Sequence, residues 1–303
     1  MKSSRRNARP ASRWMGLVLA TCVVAPGIAH AQPADLFYER AVMSAADARC
    51  GLFAPEVGAA LAAAAAQARG AALRAGTSQD SVRLTEEAAR AKAAAFDCRS
   101  PDIMTAAARV RTAFSGFAKL SRLTYAGDVA DWRADRDVGR AARWQLAQET
   151  RFGADRMAFG LAGREGASGL LAVAQFADGA QPYAARLLLR DQARSPQPYL
   201  DRFGGGSTAG LPLARRLPPR GALKAFAATA RSAAPEPLLP KGDDDDGGWA
   251  FRFPDAAAQE LARLDPREAV AVEFMFPGDV TRRAYVEVGD FAAGRAFLSV
   301  GGR

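Results

Sequence analysis

Histidine is almost absent from this 303-residue chain. Its one histidine, His30, lies in an N-terminal segment that we predict is removed. Without histidine the remaining chain lacks the commonest general base, which excludes Ser-His-Asp catalysis, Cys-His catalysis and histidine zinc sites. Neither a Gly-x-Ser-x-Gly nor a Ser-x-x-Lys pattern occurs. Carboxylate pairs, serine–lysine arrangements and hard-metal chemistry remain as catalytic routes.

Long apolar runs are also missing. The longest, Trp14–Ala25, is shorter than the roughly 20 residues that cross a bilayer. It follows five basic residues and precedes the small-x-small sequence Ala29-His30-Ala31. Residues 1–31 are therefore predicted to be a secretory signal peptide, cleaved between Ala31 and Gln32. We favour general export over a twin-arginine signal or lipidation of Cys22, and expect a periplasmic protein whose mature chain has no membrane span.

Acidic residues are fewer than basic ones, and the whole chain carries a formal charge of +9 with a pI near 10.0. The predicted leader contains five of the 41 basic residues and none of the 32 acidic ones, so the mature chain would carry only +4. A charge this small does not favour nucleic acid as a partner.

Cysteine is scarce as well, with three in the chain. Cys22 lies in the leader, which leaves Cys50 and Cys98. An even pair in an oxidising compartment favours a disulfide. The alternatives are a metal pair, which lacks two further soft ligands, and two free buried thiols.

The first half of the chain has helical periodicity. Short loops between helices predict an antiparallel bundle, in which the first and third helices end on the same side. Cys50 and Cys98 lie at those two ends, so the topology and the disulfide support each other. The predicted helices are Asp35–Cys50, Pro55–Ala75, a third that follows the capping sequence Thr77–Asp80, and a fourth from Pro101 with apolar residues at Ile103, Ala107, Val110, Phe114 and Phe117.

From about Arg143 the pattern changes to alternation and glycine-rich turns, which indicates an antiparallel meander. Residues 223–233 suit either a helix or a strand. The predicted strands are Arg143–Phe152, Arg156–Ala162, Leu170–Phe176, Tyr183–Arg190, Trp249–Phe253, Ala269–Phe276 and Arg283–Val288, with a helix from Asp255 to about Leu264 and a final edge strand at Phe297–Val300.

These patterns predict an α+β protein. A disulfide-tied helical bundle of about four helices precedes a mainly antiparallel β-sandwich or barrel-like domain with one inserted short helix. The predicted divisions are the leader 1–31, a helical domain 32–126, a connector 127–142 and a β-rich domain 143–303.

Two polar loops lack the spacing of a ligand site. Asp243–Asp246 is not followed by the glutamate that an EF-hand loop requires, so we interpret it as a solvated hairpin tip. Gly204–Gly206 is not followed by the lysine of a phosphate-binding loop. We expect no metal and no cofactor.

Two glutamates in neighbouring predicted strands could form an acid/base pair. Glu273, however, alternates with Val272 and Phe274, which predicts a solvated face for its side chain. The glutamates in the predicted elements, Glu287 among them, are expected on polar faces or turns. The segment Leu264–Glu268 is interpreted as a helix exit and turn. No catalytic residue is therefore assigned.

The connector contains arginines beside tryptophan. If the segment were helical, its four arginines would share one side and could bind phosphates or carboxylates. Interleaved aspartates make internal ion pairs the main alternative. The candidate ligand-binding residues are Trp132, Arg133, Arg136, Arg140 and Arg143.

No motif in the chain identifies a reaction. The expected function is that of an exported, non-enzymatic binding or envelope-assembly module. Its expected partner is an anionic envelope polymer or another envelope protein. The alternative is a carboxylate-dependent envelope hydrolase that acts on glycan or peptide.

Overall fold

The computed structural model describes residues 32–137, 139–164, 167–200, 208, 210–241 and 247–300, without the side chain of residue 167. The predicted leader 1–31 lies outside these residues, as do the aspartate tract Asp243–Asp246 and the glycines Gly204–Gly206.

Four helices precede the sheets, as predicted. The Ser78 hydroxyl accepts the Ser81 N–H at 3.1 Å and caps the third helix, while Gly51 ends the first at a φ of 61°. The four helices are α1 (Pro33–Cys50), α2 (Pro55–Arg74), α3 (Gln79–Ala95) and α4 (Pro101–Phe117).

The predicted disulfide is confirmed. Cys50 at the end of α1 is bonded to Cys98 just beyond α3, with a Cα–Cα distance of 5.6 Å. Because α1 packs against both α2 and α3, the bond closes one end of the helical region.

Eleven strands form two antiparallel sheets among the described residues. The larger sheet has the order β1-β2-β3-β4-β5-β9-β8 and the smaller has the order β11-β10-β6-β7. The strands are β1 (Arg122–Tyr125), β2 (Trp132–Asp135), β3 (Arg143–Phe152), β4 (Asp155–Arg164), β5 (Ala167–Gln175), β6 (Ala184–Arg190), β7 (Leu223–Ala227), β8 (Ala230–Ala233), β9 (Trp249–Arg252), β10 (Ala269–Phe276) and β11 (Val280–Glu287).

The predicted meander is correct only in part. Strands β3, β4 and β5 pair in order, but β6 leaves the larger sheet and pairs with β10 and β7. The ambiguous segment 223–233 supplies two strands, β7 and β8, which belong to different sheets. Sequential strands thus cross between layers, which is typical of a sandwich.

Phenylalanines fill the space between the sheets. Phe274 on β10 contacts Phe152 of β3, Phe251 of β9 and Phe176 just after β5, with ring centroids 5.3–5.8 Å apart. All four rings belong to the main core or pack against it. The sandwich half of the predicted fold is therefore confirmed.

Three short α-helices in the described part of the chain lie between or after the strands: α5 (Leu213–Arg216), α6 (Asp255–Leu261) and α7 (Phe291–Leu298). The predicted final strand at Phe297–Val300 is wrong, because Phe291, Gly294 and Phe297 recur at helical spacing and turn one face of α7 inward. A Cβ on Gly294 would lie 2.5 Å from Leu146, so glycine permits the close approach of α7 to the larger sheet.

Candidate functional site

The connector 127–142 is not helical in its described residues, so its four arginines do not share the single helix face on which their predicted site depended. Trp132 opens strand β2, is fully buried, and donates its indole N–H to the carbonyls of Glu287 at 3.1 Å and Val288 at 3.0 Å. A side chain enclosed in this way is a core residue and has no free face for a ligand.

Arg136 makes interior contacts. Its guanidinium donates to the carbonyls of Phe117, Ala118 and Val300, and lies 4.1 Å from the centroid of the Phe297 ring. These contacts join the end of α4 to the end of α7, which indicates a structural role.

The other three arginines of the connector point to different surroundings. Arg133 is exposed and lies 3.5 Å from Glu149, while Arg143 is half-buried and donates to the Asp137 carbonyl at 3.5 Å. Arg140 is exposed and has no hydrogen-bond or ion-pair partner among the described residues. Ligand binding by these arginines stays a prediction.

A second group of arginines meets on the outer face of the smaller sheet. The register places Glu273 of β10 directly opposite Arg283 of β11 on one side and Arg186 of β6 on the other. Residues that face each other across antiparallel strands have neighbouring side chains. The three groups accordingly form an Arg–Glu–Arg row.

The row has a buried centre and accessible ends. The side chain of Glu273 is 3% exposed, while those of Arg283 and Arg186 are 34% and 48% exposed. The Glu273 carboxylate accepts Arg283 Nε–H at 2.9 Å and also the Nε–H of Arg186. The predicted solvated position of Glu273 is therefore wrong, because the two guanidinium groups and the segment around α5 cover it.

A cavity of about 500 Å³ lies over this row. Its wall includes Pro218, Pro219 and Arg220, while Leu188 and Ala225 contribute apolar floor. We call this cavity, together with the Arg–Glu–Arg row, the arginine pocket. Its described lining contains three arginines against one carboxylate.

Two guanidinium groups of the arginine pocket have N–H donors without a partner among the described residues. Arg186 uses only Nε on Glu273, and its terminal nitrogens have no hydrogen-bond partner among the described residues. Arg220 is exposed and makes no ion pair within the described chain. A guanidinium with free, planar donors suits a carboxylate or phosphate.

The same contacts set the charge state of Glu273. Burial alone raises the pKa of this carboxyl, but hydrogen bonds from Arg283 and Arg186 outweigh it and hold the pKa below the ordinary value. Arg283 also contacts the Tyr285 hydroxyl at 3.4 Å, and hydrogen bonding to Tyr285 helps to raise its own pKa. Glu273 is therefore ionised near neutral pH.

Glu287 does not face Glu273, so the two do not form an acid/base pair. It lies opposite Ala269 in the register and its side chain is fully buried. Its carboxylate accepts the backbone N–H groups of Asp128, Val129 and Ala130 at 2.8–3.4 Å. Its assignment to a polar face is wrong because the connector folds over it.

The predicted turn at Leu264–Glu268 is a buried ionic cluster. Glu268 is fully buried. Its carboxylate accepts hydrogen bonds from two nitrogens of Arg190, at 2.8–3.1 Å, and from the Asp265 backbone N–H. Burial raises the pKa of Glu268, although Arg190 opposes the shift. Asp265 is also fully buried and pairs with Arg267. A pair without access to solvent cannot reach a substrate, so these carboxylates do not favour a hydrolase.

Within the described ranges, no three acidic, histidine or cysteine side chains converge as metal ligands. No helix in that part of the chain has the length and apolarity to cross a membrane.

Comparison with known proteins does not extend this site. No family model matches the chain, and no curated protein or solved structure matches it.

The arginine pocket was not predicted from the sequence, because the residues that form it are far apart in the chain. Arg186 and Arg283 are separated by nearly a hundred residues and meet only through β10. The available signal was one acidic residue inside an apolar strand, Glu273, flanked by predicted strands that carry arginines. Strand alternation identifies the face of Glu273, but it does not identify the neighbouring strand.

Proposed function

We propose that this protein is an exported binding module of the cell envelope that takes an anionic group of an envelope component in the arginine pocket. Export is supported by the basic residues, apolar stretch and Ala29-His30-Ala31 sequence of the leader. The Cys50–Cys98 bond is compatible with an oxidising compartment.

The observation that carries the binding role is the excess of positive charge at a concave site. Arg186, Arg220 and Arg283 are held around a single ionised carboxylate, Glu273, so the described lining keeps a charge of +2. Pro218 and Pro219 contribute an apolar part of the lining beside these cations. A phosphate or carboxylate is the group that these donors fit.

Glu273 has a positioning role in this proposal. It accepts the Nε–H of both Arg186 and Arg283 and so orients one guanidinium group on each side of itself. Because its pKa is lowered, it does not hold a proton to donate near neutral pH. The arrangement therefore suits recognition of an anion.

The test compares two double variants with the same change in charge. Arg186→Gln with Arg220→Gln removes two cations of the pocket and leaves Arg283 to neutralise Glu273. Arg133→Gln with Arg140→Gln removes two exposed cations of the connector. Binding of inorganic phosphate is measured by calorimetry, and binding of purified lipopolysaccharide and of peptidoglycan is measured by co-sedimentation, at two salt concentrations.

We expect the pocket variant to weaken binding by about thirtyfold, since each of the two lost charge-assisted contacts contributes on the order of 1 kcal/mol. We also expect added salt to weaken binding to the wild type. Equal affinity of the wild type and the pocket variant, or loss confined to the connector variant, would reject the arginine pocket. Folding of each variant is checked by circular dichroism.

A further inference from the structure

The helical region has an incompletely covered apolar face. The apolar residues of α4 that the sequence predicts to face the core are buried at Ile103 and Ala107, near the start of the helix, where α4 packs on the other helices. Val110 and Phe114, one and two turns further on, are only half-buried. The start of α4 is therefore covered by the bundle and Phe117 at its end packs on the main core, while the turns around Val110 and Phe114 are only partly covered.

A groove of about 790 Å³ runs along this open side, between α1 and α4. Leu36 and Met43 of α1 line one wall, Val110 and Phe114 of α4 line the other, and Leu61 of α2 contributes to the lining. We call it the helical groove. Its volume lies within the range of small-molecule sites, which is about 300–1,000 Å³.

The helices that form the groove are held together by a disulfide and by hydrophobic packing. Met43 and Phe96 pack against the buried cluster of Ala46, Ala93 and Ile103, which joins α1, α3 and α4. The Cys50–Cys98 bond ties α1 to the end of α3 beside this cluster. A groove supported in this way does not close by collapse of α1 onto α4.

The helical groove is lined by three basic and two acidic residues. Lys92 lies over the Phe96 ring at 5.1 Å, and Arg40 donates to the Ala64 carbonyl at 2.8 Å. Lys92 and Arg109 make no side-chain ion pair within the described chain, whereas Arg40 interacts electrostatically with the neighbouring Glu39. The acidic residues of the lining are Glu39 and Asp102.

An apolar cleft with unpaired cations matches an amphipathic anion. The alkyl part gains binding free energy with each methylene that it buries, and the anionic end interacts with the cations at the rim. We propose that the helical groove binds a long-chain fatty acid, with its alkyl chain between α1 and α4 and its carboxylate at a rim formed by the exposed Lys92 and Arg109. This site is separate from the arginine pocket and does not depend on it.

The experiment measures binding of tetradecanoate to the full chain by calorimetry, below the micelle concentration, beside its uncharged methyl ester. Lys92→Gln with Arg109→Gln removes two exposed cations of the rim, and Val110→Asp places a charge in the apolar wall. The matched control is Arg90→Gln with Arg99→Gln, which removes two exposed cations outside the groove lining.

We expect tetradecanoate to bind the wild type and the control equally. The rim variant should lose about tenfold in affinity for tetradecanoate, a change of about 1.4 kcal/mol, and little for the methyl ester. Val110→Asp should weaken both ligands. Because the rim residues are exposed, that variant keeps the test valid even if Val110→Asp does not fold.

Three outcomes would overturn the proposal. One is the absence of tetradecanoate binding to the folded wild type. The second is a rim variant with unchanged preference for the carboxylate over the ester. The third is a dimer, seen by sedimentation, that Val110→Asp abolishes and that tetradecanoate does not affect, because the groove would then be covered by a second copy.

Discussion

The Glu287 carboxylate accepts the backbone N–H of Val129 at 2.8 Å, across 158 positions of sequence. The contact ties the last residue of β11 to the connector that follows β1. Asp128 donates its N–H to the same carboxylate and, through its own side chain, accepts from the buried Arg216 at 3.1 Å. One buried glutamate therefore positions the turn between β1 and β2.

Glu287→Ala should lower the free energy of unfolding by at least about 3 kcal/mol, because three N–H groups lose their acceptor and the buried Arg216 loses a neighbouring carboxylate. Urea unfolding measures the loss, and hydrogen exchange should show faster exchange at Asp128 and Val129. Glu149→Ala is the control, since its pair with Arg133 is partly exposed and is expected to contribute less than about 1 kcal/mol. Equal costs for the two variants would contradict the anchoring role.

Replacing Cys50 and Cys98 by serine should lower the free energy of unfolding by about 3–4 kcal/mol on the chain-entropy model, since the bonded residues are 48 positions apart. Denaturant unfolding of the variant and of the wild type, with and without reductant, measures the difference. The reduced wild type should resemble the variant. A variant as stable as the oxidised protein would show that the bond does not restrain the unfolded chain.

Arg136→Met and Arg140→Met separate a structural arginine from an exposed one. Arg136 donates to carbonyls of the α4 and α7 ends, so its loss should cost about 1–3 kcal/mol of stability. Arg140 has no partner among the described residues, so its replacement should leave stability within about 0.5 kcal/mol. Thermal and urea unfolding check both, and the reverse order of effects would refute the structural assignment of Arg136.

Acid should weaken the fold through Glu273. Because its pKa in the folded state lies below the ordinary value of 4.5, its contribution to stability is present above that value and is lost as the pH falls through the lowered pKa. Urea midpoints measured from about pH 6 to about pH 3 should therefore fall less steeply for Glu273→Gln than for the wild type. Parallel curves for the two proteins would remove Glu273 from the acid response.

Local signals in the chain predicted most of the elements. Strands Arg143–Phe152 and Ala269–Phe276 have the bounds that alternation indicates, because each is bordered by turn residues. The start of α4 was predicted from Ser100 and Pro101, a cap and a first-turn proline that act over a few residues. Sheet membership was not predicted, because a run such as Leu223–Ala227 pairs equally well with several partners until the core forms.

The sequence by itself determined the four N-terminal helices, most of the longer strands and the pairing of Cys50 with Cys98, since these follow from periodicity, caps and a count of two cysteines. Only the tertiary structure decided that Glu273 lies buried between Arg186 and Arg283, and that Glu287 anchors the connector. The physical reason is that a carboxylate enters the interior only when long-range packing supplies its donors. Those donors come from strands and turns whose positions the local pattern leaves open.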